Sequence, residues 1–211
     1  MKIKGAIFDM DGTLWDSAEN VAKSWNVAIE RAGYKREPVT ADDLYRLMGK
    51  TMDVIADSLF PDANEEEKAL LAEACFNIEN DYLAEHGGTL YPELRPTMEK
   101  LKEDYHLYIV SNCQVGYIET FLKYYGFEDL FEDIECYGNN GYPKGDNIAL
   151  IVKRNNLDDA VYVGDIQGDY DATMQAGIKF IHAAYGFGTI NASVPKIESL
   201  SELADIITEI L

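Results

Sequence analysis

The sequence predicts an α/β protein, in which helices cover both faces of a parallel β-sheet and an all-helical unit is inserted after the first strand. From residue 92 onward, short apolar runs alternate with helical patterns, which is typical of a parallel sheet. Residues 17–88 carry helical patterns alone, and the first strand has no crossover partner near it in sequence. We therefore expect a core formed by residues 1–16 and 89–211, and a helical unit formed by residues 17–88.

The first strand and the inserted helices each have a local signal. Residues 3–8 form an apolar run that stops at a carboxylate and a Gly-Thr turn, as buried strands do. In two of the helices, an acidic residue three positions after the N-cap completes the signature of a capping box. The start and stop signals of the four helices are Ser17 to Gly33, Thr40 to Gly49, a stretch holding Val54, Ile55 and Leu59, and Asn64 to Gly87.

The second half of the chain supplies the remaining elements of the sheet. Strands are predicted for residues 106–111, 133–137, 160–164 and 179–183. Helices are predicted for residues 97–103, 116–125, 146–155, 169–176 and 201–211. Ligands bind beyond the carboxyl ends of the strands in an open parallel sheet. The polar residues that follow the predicted strands are therefore the candidates for a functional site.

The composition indicates a globular chain and argues against several classes of function. Of the 211 residues, 47% are hydrophobic, and the formal charge of -20 would repel nucleic acids and anionic membranes. No run approaches the roughly 18 consecutive apolar residues of a membrane span, and no signal peptide is visible. Cys75, Cys113 and Cys136 are far apart, so we expect neither a disulfide framework nor a metal finger, and we favour a cytoplasmic location.

Carboxylates cluster at two of the predicted strand ends. Asp9 and Asp11 follow the first strand, and Asp165 and Asp169 follow the strand that ends at residue 164. Side chains two positions apart share a face at a strand end, so Asp9 and Asp11 can project into one crevice. Paired carboxylates repel unless a hard cation lies among their oxygens. The four residues therefore predict an oxygen-ligand site of the kind that Mg²⁺ prefers.

The same edge of the sheet carries the groups that phosphoryl transfer needs. Asp9 can act as a nucleophile because an acyl phosphate forms and hydrolyses readily, and Asp11 can protonate the leaving oxygen and later activate water. Lys144 would screen the nucleophile from the charge of the phosphate. Ser111 and the amide of Asn112 would donate hydrogen bonds to the phosphoryl oxygens. The sequence therefore predicts a phosphatase that acts on a small phosphorylated metabolite.

These segments resemble the four motifs of the haloacid dehalogenase superfamily of phosphatases, over nearly the whole chain. The matching segments are Asp9 to Thr13, Ile109 to Asn112, Lys144, and Gly164 to Asp169. The resemblance implies a Rossmann-like core, an aspartyl-phosphate formed on Asp9, and acid/base catalysis by Asp11. It also implies metal ligation by the Asp9 side chain, the Asp11 carbonyl and Asp165, with Asp169 as a ligand or orienting neighbour. For Asp169, an N-cap role in the helix that follows is the alternative.

The helical insertion resembles the C1 cap of the phosphoglycolate-phosphatase-like and beta-phosphoglucomutase-like branch of this superfamily. In that branch the loop that here carries Lys50 faces the active site, so Lys50 is a candidate substrate contact beside Ser111, Asn112 and Thr13. Hinges near residues 16 and 90 would allow the cap to close over the site.

Two alternatives stay open on this evidence. A phosphosugar mutase of the beta-phosphoglucomutase type would share the aspartyl-phosphate, although Val often replaces Thr13 in the mutases resembled here. A non-catalytic phosphate-binding protein of the same fold would usually lack Asp9 or a metal carboxylate, and this chain has them. The order Pro143-Lys144-Gly145 departs from the common Lys-Pro of the third motif, which bears on the geometry of that loop. The sequence makes no prediction of oligomeric state.

Overall fold

Eight strands lie within residues 2–211, the part of the chain that the computed structural model describes. They are β1 (Lys4–Phe8), β2 (Trp15–Asp16), β3 (Thr89–Leu90), β4 (His106–Ser111), β5 (Asp133–Cys136), β6 (Asp159–Gly164), β7 (Lys179–Ala183) and β8 (Lys196–Ile197). Six of them form one parallel sheet in the order β5-β4-β1-β6-β7-β8, which places β1 between β4 and β6. The remaining two, β2 and β3, form a short antiparallel ribbon. The predicted α/β class with a parallel sheet is confirmed.

Helices fill the intervals between the strands, and four of them follow one another between β2 and β3. The helices are α1 (Ala18–Ala32), α2 (Ala41–Tyr45), α3 (Met52–Leu59), α4 (Glu65–His86), α5 (Leu94–Leu101), α6 (Tyr117–Tyr125), α7 (Tyr137–Asn140), α8 (Lys144–Arg154), α9 (Gln167–Ala176) and α10 (Leu203–Ile210). A short 3-10 helix, Leu200–Glu202, precedes α10. In the described part of the chain, no helix is both long enough and apolar enough to cross a bilayer.

Both predicted capping boxes are present. The Thr40 hydroxyl accepts from the Asp43 N–H at 3.2 Å, and the Asn64 side chain accepts from the Glu67 N–H at 3.0 Å. Each box satisfies backbone donors that have no partner inside the helix. Ser17 differs, because it occupies the N-cap position of α1 but makes no side-chain capping bond. The predicted N-cap position of Ser17 is therefore confirmed, but its hydroxyl donates to a partly buried carboxylate instead of capping the helix, as described below.

Several predicted boundaries are shifted. Helix α5 begins at Leu94 rather than at residue 97, because Pro96 fits the first turn of a helix, where its missing N–H is not needed. Helices α8 and α9 each begin two residues earlier than predicted, at Lys144 and Gln167. The last predicted helix is divided into the 3-10 helix and α10. Strands β2, β3 and β8 were not predicted, since two residues are too few to show an alternating pattern.

The central strands are buried on both faces. Ile7, Tyr108 and Tyr162 lie side by side on β1, β4 and β6, and each is at most 1% exposed. The next residue of each strand points to the opposite face and joins the other apolar cluster. This packing fixes the carboxyl ends of three neighbouring strands at one edge of the sheet, which is where the predicted site residues begin.

The inserted helices have an apolar layer of their own. Helix α1 packs along α4, and the rings of Trp25 and Phe76 lie 6.1 Å apart between them. The antiparallel ribbon joins these helices to the sheet, with Trp15 opposite Leu90 and Asp16 opposite Thr89. The predicted hinge positions, residues 16 and 90, therefore lie in paired backbone.

Candidate active site

Three predicted site residues lie at the carboxyl ends of adjacent strands. Asp9 directly follows β1, Asp165 follows β6, and Ser111 ends β4. Carboxylate oxygens of Asp9, Asp165 and Asp169 all lie within 4.8 Å of one another, and the three residues are buried. The structure thus brings together acidic residues that are up to 160 positions apart in the sequence.

Lys144 places one cation among these carboxylates. Its Nζ donates to Asp9 Oδ1 at 2.9 Å and to Asp169 Oδ1 at 2.6 Å, and all three side chains are almost fully buried. Burial by itself lowers the pKa of Lys144, but the charges of Asp169 and Asp9 outweigh that effect and raise the pKa above its usual value. The ammonium therefore stays charged. The unusual Pro143-Lys144-Gly145 order still places the lysine in contact with Asp9.

Asp169 holds the loop after β6 in place. Its Oδ2 accepts hydrogen bonds from the backbone N–H groups of Asp165 at 3.0 Å and Ile166 at 3.1 Å. Ile166 is the N-cap of α9, and Asp169 lies three residues inside the helix. The alternative N-cap role of Asp169 is therefore wrong. Because the helix starts earlier than predicted, the Asp169 carboxylate reaches back to the loop and at the same time meets Lys144.

Asp165 presents an oxygen that lacks a hydrogen-bond partner. Its Oδ2 accepts from the Phe187 N–H at 2.7 Å, whereas its Oδ1 is buried and unpaired among the described residues. Gly12 packs directly against this carboxylate at a positive φ of 86°. A Cβ at that position would lie 2.1 Å from Asp165 Oδ2. The glycine of the Asp9 to Thr13 segment therefore lets the two acidic segments approach each other.

The charge balance of this cluster fits a divalent cation. Burial, followed by the charge of Asp169, raises the pKa of Asp9 to about 7 and the pKa of Asp165 to about 8. Such shifts are expected where several carboxylates share one buried ammonium. Hard oxygen donors, an unpaired buried oxygen and excess negative charge are what a Mg²⁺ site requires.

Asp11 is held by two hydroxyl groups. Ser17 Oγ and Tyr117 Oη each donate to Asp11 Oδ1 at 2.7 Å, and the two hydroxyls are 2.8 Å apart. Burial raises the pKa of Asp11 to about 6, although both hydrogen bonds favour the charged form. A carboxyl group with this pKa can both give and take a proton near neutral pH. The second oxygen of Asp11 remains available to a ligand.

A cavity of about 50 Å³ lies between the inserted helices and the sheet edge. From the sheet side it is lined by Asp11, Ser111 and Asn112, and from the inserted unit by Lys50 and the buried Glu79. Lys50 is an exposed residue in the segment between α2 and α3. The structure thus places Lys50 on the same cavity as Asp11, Ser111 and Asn112, and a substrate contact by Lys50 stays a prediction.

Two other predicted substrate contacts, Thr13 and Asn112, differ in their hydrogen-bond partners. Thr13 is fully buried and its hydroxyl has no hydrogen-bond partner within residues 2–211. Asn112 donates its side-chain amide to the Gly49 carbonyl at 2.8 Å, and its side-chain oxygen is buried and unpaired. The amide of Asn112 therefore bridges the core and the inserted unit in this arrangement. A phosphate contact by either residue stays a prediction.

Some residues of the site were missed by reasoning from sequence. Tyr117 lies in the helix after β4, where an apolar stripe hides its polar role. Glu79 occupies a helical position between apolar residues, and Gln114 follows the strand end by three residues. The capping signal of Ser17 concealed its contact with Asp11. The contacts of Tyr117, Glu79 and Gln114 join segments far apart in sequence, so no local pattern could have revealed them, whereas Ser17 lies only six residues from Asp11.

The sequence and fold were compared with known proteins. The profile of haloacid dehalogenase-like hydrolases matches residues 6–183. The chain belongs to the haloacid dehalogenase-like hydrolase family. It is similar to the phosphoglycolate phosphatase of Vibrio parahaemolyticus, at 27% identity over 97% of this chain and 96% of that protein. The family resemblance drawn from the sequence motifs is thereby confirmed, and the chain is an enzyme of the phosphatase type.

Solved structures of this family share the fold. A haloacid dehalogenase-like hydrolase from Streptococcus pneumoniae superposes with a TM-score of 0.80 at 19% identity, over 96% of this chain and 98% of that one. CbbY from Rhodobacter sphaeroides, in complex with xylulose-(1,5)bisphosphate, gives a TM-score of 0.77 at 18% identity, over 96% of each chain. At these identities the likeness extends to the arrangement of the sheet and the inserted helices.

Proposed function

We propose that this haloacid dehalogenase-like enzyme hydrolyses small phosphate monoesters with the help of Mg²⁺, through an aspartyl-phosphate on Asp9. One observation carries the proposal. The Asp9 carboxylate, contacted by Lys144 on one oxygen, is grouped with Asp165 and Asp169 at the strand ends, and Asp11 faces the adjoining cavity. This arrangement supplies a nucleophile, a proton carrier, a fixed cation and a set of hard oxygen ligands.

Asp9 and Asp165 are the side chains that would hold Mg²⁺, with Asp169 as their orienting neighbour. The unpaired Oδ1 of Asp165 and the raised pKa values of Asp9 and Asp165 support this assignment. When bound, Mg²⁺ would neutralise part of the charge on the carboxylates and the phosphoryl group. Asp169 has both oxygens engaged by protein donors, so its main task is to orient Lys144 and the loop after β6.

In the first step, the free oxygen of Asp9 attacks phosphorus. Lys144 donates to Oδ1, so the attacking oxygen is Oδ2. A bond forms between Asp9 Oδ2 and phosphorus, and the bond between phosphorus and the ester oxygen breaks. Asp11 gives its proton to that departing oxygen, which leaves as an alcohol. Ser111 donates a hydrogen bond to the phosphoryl group.

In the second step, water releases the phosphate. Asp11, now a carboxylate, takes a proton from a water molecule that attacks phosphorus, and the bond to Asp9 Oδ2 breaks. Inorganic phosphate leaves, Asp9 is a carboxylate again, and Asp11 is protonated as at the start. The hydrogen bonds from Ser17 and Tyr117 keep the Asp11 carboxyl aimed in both steps.

Residues 17–88 would act as a cap over this site. The inserted helices close one side of the cavity, and contacts such as Asn112 to Gly49 and Tyr45 to Asp16 join them to the core. Closure would exclude bulk water while the aspartyl-phosphate exists. Lys50 would then contact the part of the substrate that extends from the phosphate into the cavity.

The relatives support small phosphorylated metabolites as the class of substrate for this chain. The curated relatives are named for phosphoglycolate, and CbbY was solved with a sugar bisphosphate. A phosphosugar mutase is the second candidate, because it would use the same Asp9 and Asp11. Thr13 favours a phosphatase over a mutase, because Val often occupies this position in the mutases that the chain resembles.

A ³¹P NMR assay of purified protein with a panel of two- to six-carbon phosphate esters tests the proposal. In the presence of MgCl₂ we expect inorganic phosphate to accumulate, and EDTA should stop its release. Accumulation of an isomerised phosphate ester without inorganic phosphate would favour the mutase. Phosphate release that is equally fast in EDTA would contradict the role given to the metal.

A further inference from the structure

Glu79 is a buried carboxylate on α4 that the proposed mechanism does not use. Its side chain is 3% exposed and lies on the cavity that also contains Asp11 and Ser111. Two neutral groups donate to it: Trp25 Nε1 to Oε2, and Gln114 Nε2 to Oε1, the latter at 3.0 Å. Among residues 2–211, no cation pairs with Glu79.

A buried carboxylate without a counter-ion is costly, so its position calls for a ligand or another functional reason. A carboxylate offers about four acceptor sites, of which Trp25 and Gln114 occupy two. Glu79 lines a cavity that is small and otherwise mainly apolar, with Val21, Leu44, Leu47 and Ile55 among its lining residues. Glu79 is therefore able to accept a further hydrogen bond from whatever enters this cavity.

The charge of the cavity also limits what can enter. Glu79 and Asp11 both carry carboxyl groups into it, and Lys50 is the single cationic residue of its described lining. Lys50 is exposed, so water screens its charge, whereas the field of Glu79 acts inside a low-dielectric space. Because Asp11 is protonated when the substrate binds, a leaving group with its own carboxylate would place a second anion beside the Glu79 carboxylate.

We propose that Glu79 determines leaving-group specificity: it accepts a hydrogen bond from a hydroxyl or ammonium group of the leaving alcohol, and it disfavours leaving groups that carry a carboxylate. This inference rests on the proposed phosphatase function. It distinguishes the chain from its relatives that are named phosphoglycolate phosphatase, since glycolate has such a carboxylate.

Three two-carbon esters of nearly equal size test the proposal: 2-hydroxyethyl phosphate, 2-aminoethyl phosphate and 2-phosphoglycolate. We expect kcat/KM of the wild-type enzyme with at least one of the first two to exceed that with 2-phosphoglycolate by about 10-fold or more. The better of the two tells whether hydroxyl or ammonium is the preferred donor. A wild-type preference for 2-phosphoglycolate would overturn the proposal.

Variants separate specificity from a structural role. In Glu79→Gln the preference over 2-phosphoglycolate should shrink by about 10-fold, while Glu79→Asp, which keeps the charge, should preserve the order. Glu73→Gln, at an exposed position of the same helix, should leave all ratios unchanged. A purely structural role would lower activity on all three esters alike, and unchanged ratios in folded Glu79→Gln would overturn the proposal.

The assay also separates this inference from the function on which it rests. If 4-nitrophenyl phosphate and all three esters release no phosphate with MgCl₂, the proposed phosphatase function fails, and the inference fails with it. If 2-phosphoglycolate is the best substrate, only the inference about Glu79 fails. If Glu79→Gln does not fold, the order of kcat/KM for the three esters in the wild-type enzyme and in Glu79→Asp still tests the proposal.

Discussion

Lys144 is the residue on which the electrostatics of the site depend. It contacts Asp9 and Asp169 with hydrogen bonds of 2.9 and 2.6 Å, and all three side chains are almost fully buried. Removing one partner from a buried ion pair leaves the other charge uncompensated, which is more costly than the pair itself is stabilising. The lysine therefore stabilises the fold as well as serving the proposed chemistry.

The variant Lys144→Ala should lower the free energy of unfolding of the metal-free protein by about 3–5 kcal/mol, because it leaves Asp9 and Asp169 buried without their cation. Lys153→Ala, at an exposed position of the same helix, should change it by less than about 0.5 kcal/mol. Urea unfolding at pH 8 measures both. Equal stabilities of the two variants would show that Lys144 does not compensate the carboxylates.

The acidic cluster predicts an unusual pH dependence of stability. The pKa values of Asp11, Asp9 and Asp165 are raised to about 6, 7 and 8 in the folded protein, above the value of about 3.9 for an unfolded chain. Between these limits the folded state binds more protons than the unfolded state, so stability falls as pH rises. The Tm of the metal-free protein should therefore fall between pH 6 and pH 8.

Mg²⁺ competes with these protons, so its effect on stability should grow with pH. We expect MgCl₂ to raise Tm more at pH 8 than at pH 6. Asp165→Asn should lose most of this response, whereas Asp171→Asn, at an exposed position of α9, should retain it. Differential scanning calorimetry at both pH values measures the shifts. A shift that is equal at both pH values, or larger at pH 6, would contradict the assigned ligands.

The catalytic candidates were predictable as residues because each follows a predicted strand. Asp9, Asp11, Asp165 and Lys144 needed only the strand pattern and the motif spacing to be chosen. Their partners were not predictable in the same way. Tyr117 lies 106 positions from Asp11, and only the folded chain brings the two together.

At the scale of elements, the ribbon of β2 and β3 connects the cap to the core. Gly88 lies against it, and a Cβ at Gly88 would be 2.8 Å from Trp15 Cε3 and 2.9 Å from the Asp16 carbonyl oxygen. The backbone is therefore tightly packed where the chain enters and leaves the inserted helices, which are the positions predicted as hinges. Motion of the cap would have to originate beside this ribbon or involve its opening.

Gly88→Ala should push residue 88 away from Trp15 and Asp16. We expect it to lower the free energy of unfolding by about 1–3 kcal/mol, the usual range for overpacking. Gly168→Ala is a matched control, because its added methyl group meets nothing closer than 3.5 Å. Thermal unfolding of both variants and their phosphate release provide the comparison. A Gly88→Ala protein as stable and as active as the control would show that the ribbon accommodates a side chain.

Elements with a strong local signal were predictable, and those fixed by tertiary contacts were not. The capping boxes at Thr40 and Asn64 act within one turn of helix, and both are present. Strand β8 forms because Lys196 and Ile197 pair with β7, and two residues are too few to show a strand pattern in the sequence. Helix α5 begins three residues before its predicted start at residue 97, because Pro96 is tolerated in the first turn of a helix.

At the scale of the whole molecule, the α/β class followed from the alternation of patterns, but the closure of the inserted helices over the sheet edge did not. That closure depends on contacts such as Gln114 to Glu79 and Asn112 to Gly49, which link residues 35 and 63 positions apart. These contacts are hydrogen bonds between polar groups, and they leave no periodic pattern in the sequence. The leaving-group specificity proposed for Glu79 would therefore depend on contacts that sequence patterns do not describe.

The central claim is that Asp9 attacks phosphorus, and Asp9→Asn tests it most directly. Asparagine keeps the size of the side chain and removes a buried charge, so Tm should stay equal or rise, while Mg²⁺-dependent phosphate release should fall by about 10³-fold or more. The same rate in Asp9→Asn as in the wild-type enzyme, in a protein of unchanged Tm, would contradict the mechanism.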